Sequence, residues 1–219
     1  GYVMGLFKKK EKNVEPQYYL SKINTQVLNY KVYNFSVKEK IIYSLLAFIV
    51  GASVGYLFYG GIGVDEFGNP TTTTHVLNIV ISSIVGLVTA KFFLPIRKKQ
   101  LIEKRRKEVL AQFRDMLSGL TTALGTGSNV IDSFISVCSD LLVQYDEDAY
   151  ILKEMKTIIS GVENNISIEE MIYDFGVRSG IDDIKDFADV FKITYRKGGN
   201  FKDIIRNTYE ILGDKIEIN

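Results

Sequence analysis

The stretch IIYSLLAFIVGASVGYLFYGGIGV, residues 41–64, runs for 24 residues without a charge, and its reading decides the fold. A helix needs roughly 20 apolar residues to cross the hydrocarbon core of a bilayer, so this segment predicts a transmembrane helix. A signal peptide fits poorly. Forty residues precede the run, which also exceeds the roughly 7–15 residues of a signal core and is followed by no small-residue cleavage site. A buried hairpin in a soluble protein is the other alternative. Glycines between Gly51 and Gly63 weaken a soluble helix but suit close helix contact in a membrane.

Downstream, HVLNIVISSIVGLVTAKFFLPI, residues 75–96, is long enough for a second span if Lys91 lies near its end and snorkels to the interface. Tyr43, Tyr56, Phe58, Tyr59, Phe92 and Phe93 gather toward the span ends, as interfacial anchors do. Charge orients the pair. Residues 1–40 hold eight Lys against three Glu, and residues 97–107 hold seven basic side chains against Glu103. The external loop, 65–74, carries Asp65 and Glu66 and neither Lys nor Arg. The positive-inside bias therefore places both basic flanks in the cytoplasm of a multi-pass membrane protein. Lys91, Arg97, Lys98, Lys99, Lys104, Arg105, Arg106 and Lys107 are the candidate membrane-interface residues. The same run has the composition of a nucleic-acid patch, but directly after a span, contact with anionic lipid is the simpler explanation.

Past Lys107 the sign changes. From Glu108 to Asn219 the chain has twenty Asp or Glu against eleven Lys or Arg, a net of −9 hidden within the whole-chain +1. Nucleic acid is excluded as a natural partner of so acidic a region. The lone Cys138 forms no internal disulfide and reads as a core residue.

This second half has the rhythm of paired helices. Leu110, Phe113, Leu117, Leu120 and Leu124 recur at spacings of three and four on a long helix that leaves the membrane near Arg97 and ends at Gly125. Asn129 caps a second helix with Val130, Phe134, Val137, Cys138 and Leu141 inside. The third, Ala149 to Ser160, is closed by Gly161, and Ser167 with Glu170 forms a capping box for the fourth. Ile184, Phe187, Ala188, Phe191 and Tyr195 line a fifth, while Phe201, Ile204, Ile205, Thr208 and Leu212 line a sixth. The expected fold is all-α, a two-helix transmembrane hairpin followed by a cytoplasmic six-helix domain over residues 97–219. Turns near Asn129, Ser167 and Asn200 return every 33 to 38 residues, so a generic helical repeat also fits.

Chemistry-bearing motifs are missing. A phosphate loop needs GxxxxGK[ST] between a strand and a helix; GTGS at 125–128 lacks the lysine, and KGGN at 197–200 reads as a joint. There Gly198 ends one helix in the left-handed conformation, Gly199 permits a tight reversal, and Asn200 caps the next helix. The single histidine, His75, has neither a ligand set nor a nucleophile beside it in sequence. The expectation is a protein that is not an enzyme and holds no cofactor or metal. An integral-membrane enzyme is the most distant alternative, because the spans contain no carboxylate.

Taken in order, QFRDMLSGLTTALGTGSNVIDSF (112–134) and IDDIKDFADVFKITYRKGGNFKDIIRNTYEILGDKIEI (181–218) resemble the type II secretion system F domain. More narrowly they are similar to TadB-like platform proteins of tight-adherence (Tad/Flp) pili. The likeness runs from about Tyr33 to Asn219; DFADVF at 186–191 and the turn Gly198, Gly199, Asn200 are its most specific pieces. Lys197 departs from the family, which more often has a small hydroxyl residue there, and should alter only the turn's surface. Family members continue into C-terminal membrane helices that these 219 residues do not include, so a shortened chain is expected.

The resemblance implies a multi-pass platform of the bacterial cell (inner) membrane for type IV pilus assembly or related secretion. It would couple a cytoplasmic hexameric assembly ATPase to extraction and polymerisation of pilin or pseudopilin subunits, working with a sister platform protein or as a homo-oligomer. Asp182, Asp186 and Asp189 share the outer face of the fifth helix and are candidate ATPase-docking residues; Asp146, Glu147 and Asp148, in a helix–helix loop, are a second group. Acids early and bases late on a helix also satisfy its dipole without any partner. A membrane-tethered helical adaptor with no motor partner remains the alternative function.

Overall fold

The computed structural model describes residues 14–218. Residues 1–13, which begin the basic segment 1–40, and Asn219 lie outside the described residues. A short antiparallel ribbon, β1 (Tyr18–Leu20) with β2 (Gln26–Leu28), precedes seven helices among the described residues. These are α1 (Val37–Tyr59), α2 (Thr72–Gly125), α3 (Val130–Gln144), α4 (Tyr150–Glu163), α5 (Ile168–Ser179), α6 (Asp182–Arg196) and α7 (Phe201–Ile218). The chain divides into two compact units, Tyr33–Lys107 and a second that joins the residues up to Val32 with Glu108 onward.

In the unit Tyr33–Lys107, Ser36 and Glu39 start α1 with a capping box. The Glu39 amide donates to Ser36 Oγ at 3.2 Å and the Ser36 amide to Glu39 Oε2 at 3.1 Å. The helix stops at Tyr59 rather than running on to Val64, because Gly60 caps it and Gly61 and Gly63 turn the chain at φ +88° and +81°. Its 23 residues still suffice to cross a membrane, as does the apolar part of α2.

Ala47, Gly51 and Gly55, four apart and on one face, are the buried residues of α1. They let α2 approach closely: a Cβ on Gly51 would strike Thr89, and one on Gly55 would come within 3.1 Å of Val85. Small residues at such a seam favour packing where no hydrophobic effect drives helices together. The large side chains point the other way. Leu45, Ile49 and Phe58 are 56%, 58% and 78% exposed, an arrangement costly in water and natural in hydrocarbon. Pro95 sits inside α2 and leaves the Lys91 carbonyl without its usual intrahelical donor.

The other unit is built in the opposite sense. Val109, Phe113, Leu117, Leu120 and Leu124 of α2 meet α3 through Val130, Phe134, Val137, Cys138 and Leu141, with α4 to α7 closing the same core. Asn129 caps α3 as expected, its Oδ1 accepting from the Asp132 amide at 2.8 Å. Two local expectations are corrected. Ser167 precedes α5 but makes no side-chain cap bond, and the Glu170 carboxylate that would complete a capping box pairs with Lys22 and Lys192 instead. Gly161 lies within α4, packed on Met171, and the chain turns only at Asn165, with φ +61°.

Residues 14–32 form a strap on this core, fixed by a buried polar network. Tyr30 Oη donates to Glu154 Oε1 at 2.7 Å, while Arg178 donates to both Glu154 oxygens at 2.9 and 2.7 Å. Arg178 also reaches Asp174 Oδ2 at 2.7 Å and the Leu28 carbonyl at 3.0 Å, and its own carbonyl accepts from the Tyr30 amide. Burial pushes the Tyr30 phenol up, and the neighbouring Glu154 carboxylate pushes it further. For Arg178 burial opposes the charge, but the hydrogen bonds and charges of Glu154 and Asp174 outweigh it and hold the guanidinium above its ordinary value.

Candidate docking surface and membrane interface

The α6 periodicity that buries Ile184, Phe187, Ala188 and Phe191 turns its acids outward. Asp182 and Asp186 are exposed and Asp189 half-buried, so the three candidate docking residues share a surface. Asp183, which sequence reasoning passed over, accepts from Lys215 Nζ of α7 at 2.7 Å. The basic residues late in α6 are engaged elsewhere. Lys192 lies 4.1 Å above the Tyr173 ring and 3.1 Å from Glu170, and Arg196 pairs with Glu169 at 3.3 Å and with Glu170. Hydrogen bonds from Lys22 and Lys192 hold the Glu170 carboxyl at about 2, well below the usual range.

Asp146, Glu147 and Asp148 are exposed in the α3–α4 loop, where Asp148 meets Lys153 at 3.3 Å. They are not part of the α6 surface. Nearby, Tyr145 donates to Asp115; burial and that bond push its phenol up to about 12. The turn Gly198, Gly199, Asn200 is exposed and acts as a joint: Gly198 adopts φ +67°, the Gly199 amide donates to Thr194 O at 2.9 Å, and Asn200 Oδ1 accepts from the Asp203 amide at 3.4 Å.

Among the candidate interface residues, Lys91, Lys99, Lys104 and Lys107 are exposed, and Arg97, Lys98 and Arg106 half-buried. Arg105 is buried, its guanidinium 4.9 Å from the centroid of the Tyr33 ring. Arg97 similarly covers Tyr43 at 5.3 Å. Tyr33 donates to Glu39 at 2.9 Å, so the α1 cap, an aromatic ring and two arginines meet at one end of the hairpin. At its loop end, Tyr56, Pro70, Thr74, His75, Asn78 and Ser82 help to line a cavity of about 510 Å³. Among the described residues, no group of three or more His, Cys, Asp or Glu converges as metal ligands.

Comparison with known protein families, with curated proteins and with solved structures finds no match.

Glu154 and Arg178 had a legible signal that went unused, since each falls on an otherwise apolar helix face. Tyr30 had none, because its partner is 124 residues away.

Proposed function

We propose that this chain is an integral-membrane platform of the type II secretion F-domain kind, serving Tad/Flp-type pilus assembly or a related secretion system. The observation that carries the reading is one chain combining a basic-flanked apolar hairpin with a closely packed acidic helical unit that exposes Asp182 and Asp186, with Asp189 half-buried beside them. In this reading the basic segments and the helical unit are cytoplasmic, and lipid headgroups meet Lys99, Lys104 and Lys107. Arg97 and Arg105, stacked on tyrosines, brace the hairpin at its basic end. A cytoplasmic hexameric ATPase supplies the energy, and pilin or pseudopilin subunits are the cargo, with a sister platform protein or a second copy completing the assembly.

The α6 stripe is the docking surface of choice because the late cations of that helix already pair with α5, whereas its early acids face outward. The test uses the full chain in detergent with a secretion-type assembly ATPase from the same genome, following binding and ATP turnover together. Asp186→Lys with Asp189→Lys should weaken binding by about tenfold or more while leaving the melting of the protein unchanged. Unaltered binding removes the stripe. No binding by the folded wild-type chain removes the motor-platform reading and leaves the tethered adaptor.

A further inference from the structure

The small-residue seam of the hairpin ends before the hairpin does. Gly55 is the last buried residue of α1 and lies against Ser82 and Val85 of α2; one turn further on, Tyr59 is exposed, and Gly61 and Gly63 turn the chain away. The two helices are no longer closed on each other there. The cavity of about 510 Å³ that results is lined from the loop, at Val64 and Pro70, down to Ser82. At about 1.5 Å per residue, Asn78 and Ser82 stand roughly 9 and 15 Å along α2 from its first residue, Thr72. The larger figure is about half of a hydrocarbon core roughly 30 Å thick.

The lining is polar inside a span that is otherwise apolar. Tyr56, Thr74, His75, Asn78 and Ser82 bring hydroxyl, imidazole and carboxamide groups to it, and residues 41–90 contain neither Lys nor Arg. Two hydroxyls elsewhere in the hairpin are satisfied by their own helices. Ser53 Oγ donates to the Ile49 carbonyl at 2.7 Å, and Thr89 Oγ1 to the Val85 carbonyl at 2.8 Å. Asn78 has no such recourse. Its Oδ1 is buried and accepts no hydrogen bond from any described residue, and hydrocarbon has no donor to offer it. A lipid tail in the cavity would leave that carbonyl unsatisfied. Water would satisfy it, because water both donates and accepts, and the space is polar and roomy enough to hold a cluster.

We infer that the loop end of the hairpin is a hydrated vestibule, a site for water and small polar solutes, with Asn78 as the acceptor that holds the water and Ser82 as its deepest polar group. Solvent therefore reaches well into α2 on the face toward α1, while the opposite face of the same turns meets hydrocarbon. The inference rests on the hairpin lying in a bilayer and is independent of any motor partner.

The test is thiol modification of the full chain in phosphatidylcholine vesicles, with a charged, membrane-impermeant methanethiosulfonate supplied on both sides of the membrane. Asn78→Cys and Ser82→Cys are compared with Val80→Cys and Ile84→Cys, which bracket Ser82 in depth but lie outside the cavity, 47% and 56% exposed. The buried Cys138 of the unaltered chain gives the background. Only the thiolate reacts, and each pKa unit by which dry surroundings raise a thiol removes about nine-tenths of it, so the cavity pair should react about tenfold or more faster than the lipid-facing pair. Ser82→Cys adds little bulk and decides the comparison if Asn78→Cys does not fold. Adding Asn78→Leu should slow modification at Ser82→Cys by about the same factor, because the acceptor that holds water is gone. Uniformly slow reaction would mean a dry cavity and overturn the proposal, as would a Ser82→Cys rate unchanged by Asn78→Leu. Uniformly fast reaction at all four positions would overturn it too, and would show in addition that this part of α2 does not lie in the bilayer.

Discussion

The two compact units solve the same chemical problem with opposite geometry. Residues 33–107 turn glycine and alanine inward and leucine, isoleucine and phenylalanine outward; the unit containing α3 to α7 keeps most of its large apolar side chains inside and most of its charges out, the Glu154–Arg178 pair being the main exception. The difference shows what each packing needs. Where the surroundings are as apolar as the seam, nothing is gained by burying leucine, and backbone proximity must supply the attraction. Where the surroundings are water, apolar area is the main stabilising term, and a buried ion pair is tolerated only when fully hydrogen-bonded.

The contrast can be broken most forcefully at Arg178. Arg178→Ala leaves Glu154 buried without its counter-charge and should cost about 3–5 kcal/mol in denaturant unfolding. Replacing Arg178 and Glu154 together with Met and Leu should cost less than the single change; a larger loss would mean that the network outweighs its desolvation. In the hairpin the corresponding lesion is steric. Gly55→Leu forces α1 away from Val85 and should cost about 1–3 kcal/mol, the range of overpacking, seen as faster proteolysis of the detergent-solubilised hairpin. The same substitution at an outward position such as Val54 should do little.

Helix caps sharpen the comparison at a smaller scale. Asn129→Ala removes a cap bond and should lower stability by about 1 kcal/mol, whereas Ser167→Ala, where no such bond exists, should stay within a few tenths. Equal effects would restore the capping box. The smallest effect is electrostatic. The Glu170 carboxyl is depressed from 4.5 to about 2, so its contribution is fully present above pH 4.5 and is lost as pH falls toward 2. Partial exposure limits it to roughly the 0.2–1 kcal/mol of surface pairs. Glu170→Gln should flatten the stability curve between those pH values, and an unchanged slope would show that other acids carry it.

Much of this was legible because it is local. Spacings of three and four placed Phe113, Leu117, Phe134 and Phe191 in the core, and the turn chemistry of Asn129 and Gly198 marked the ends of neighbouring helices. The reading failed where a distant partner competes. Ser167 and Glu170 match a capping pattern, but Lys22, 148 residues away, takes the carboxylate. Gly161 has the composition of a stop, yet Met171 needs its missing side chain. The strap around Tyr30 carries no periodicity, so its place was invisible. The α6 acids were legible as a face, whereas the groove that α6 forms with α7 beside them needs both helices and was not.

The strap also bears on how the protein is made. Tyr30, Lys22 and Leu28 leave the ribosome long before the residues they grip, which follow 124, 148 and 150 positions later. At about 5–20 residues per second, synthesis leaves them waiting on the order of 6–30 s. In that interval α1 and the first part of α2 are made. The partners on α4 and α5 that fix the strap are thus made only after both apolar helices, α1 and α2, are complete.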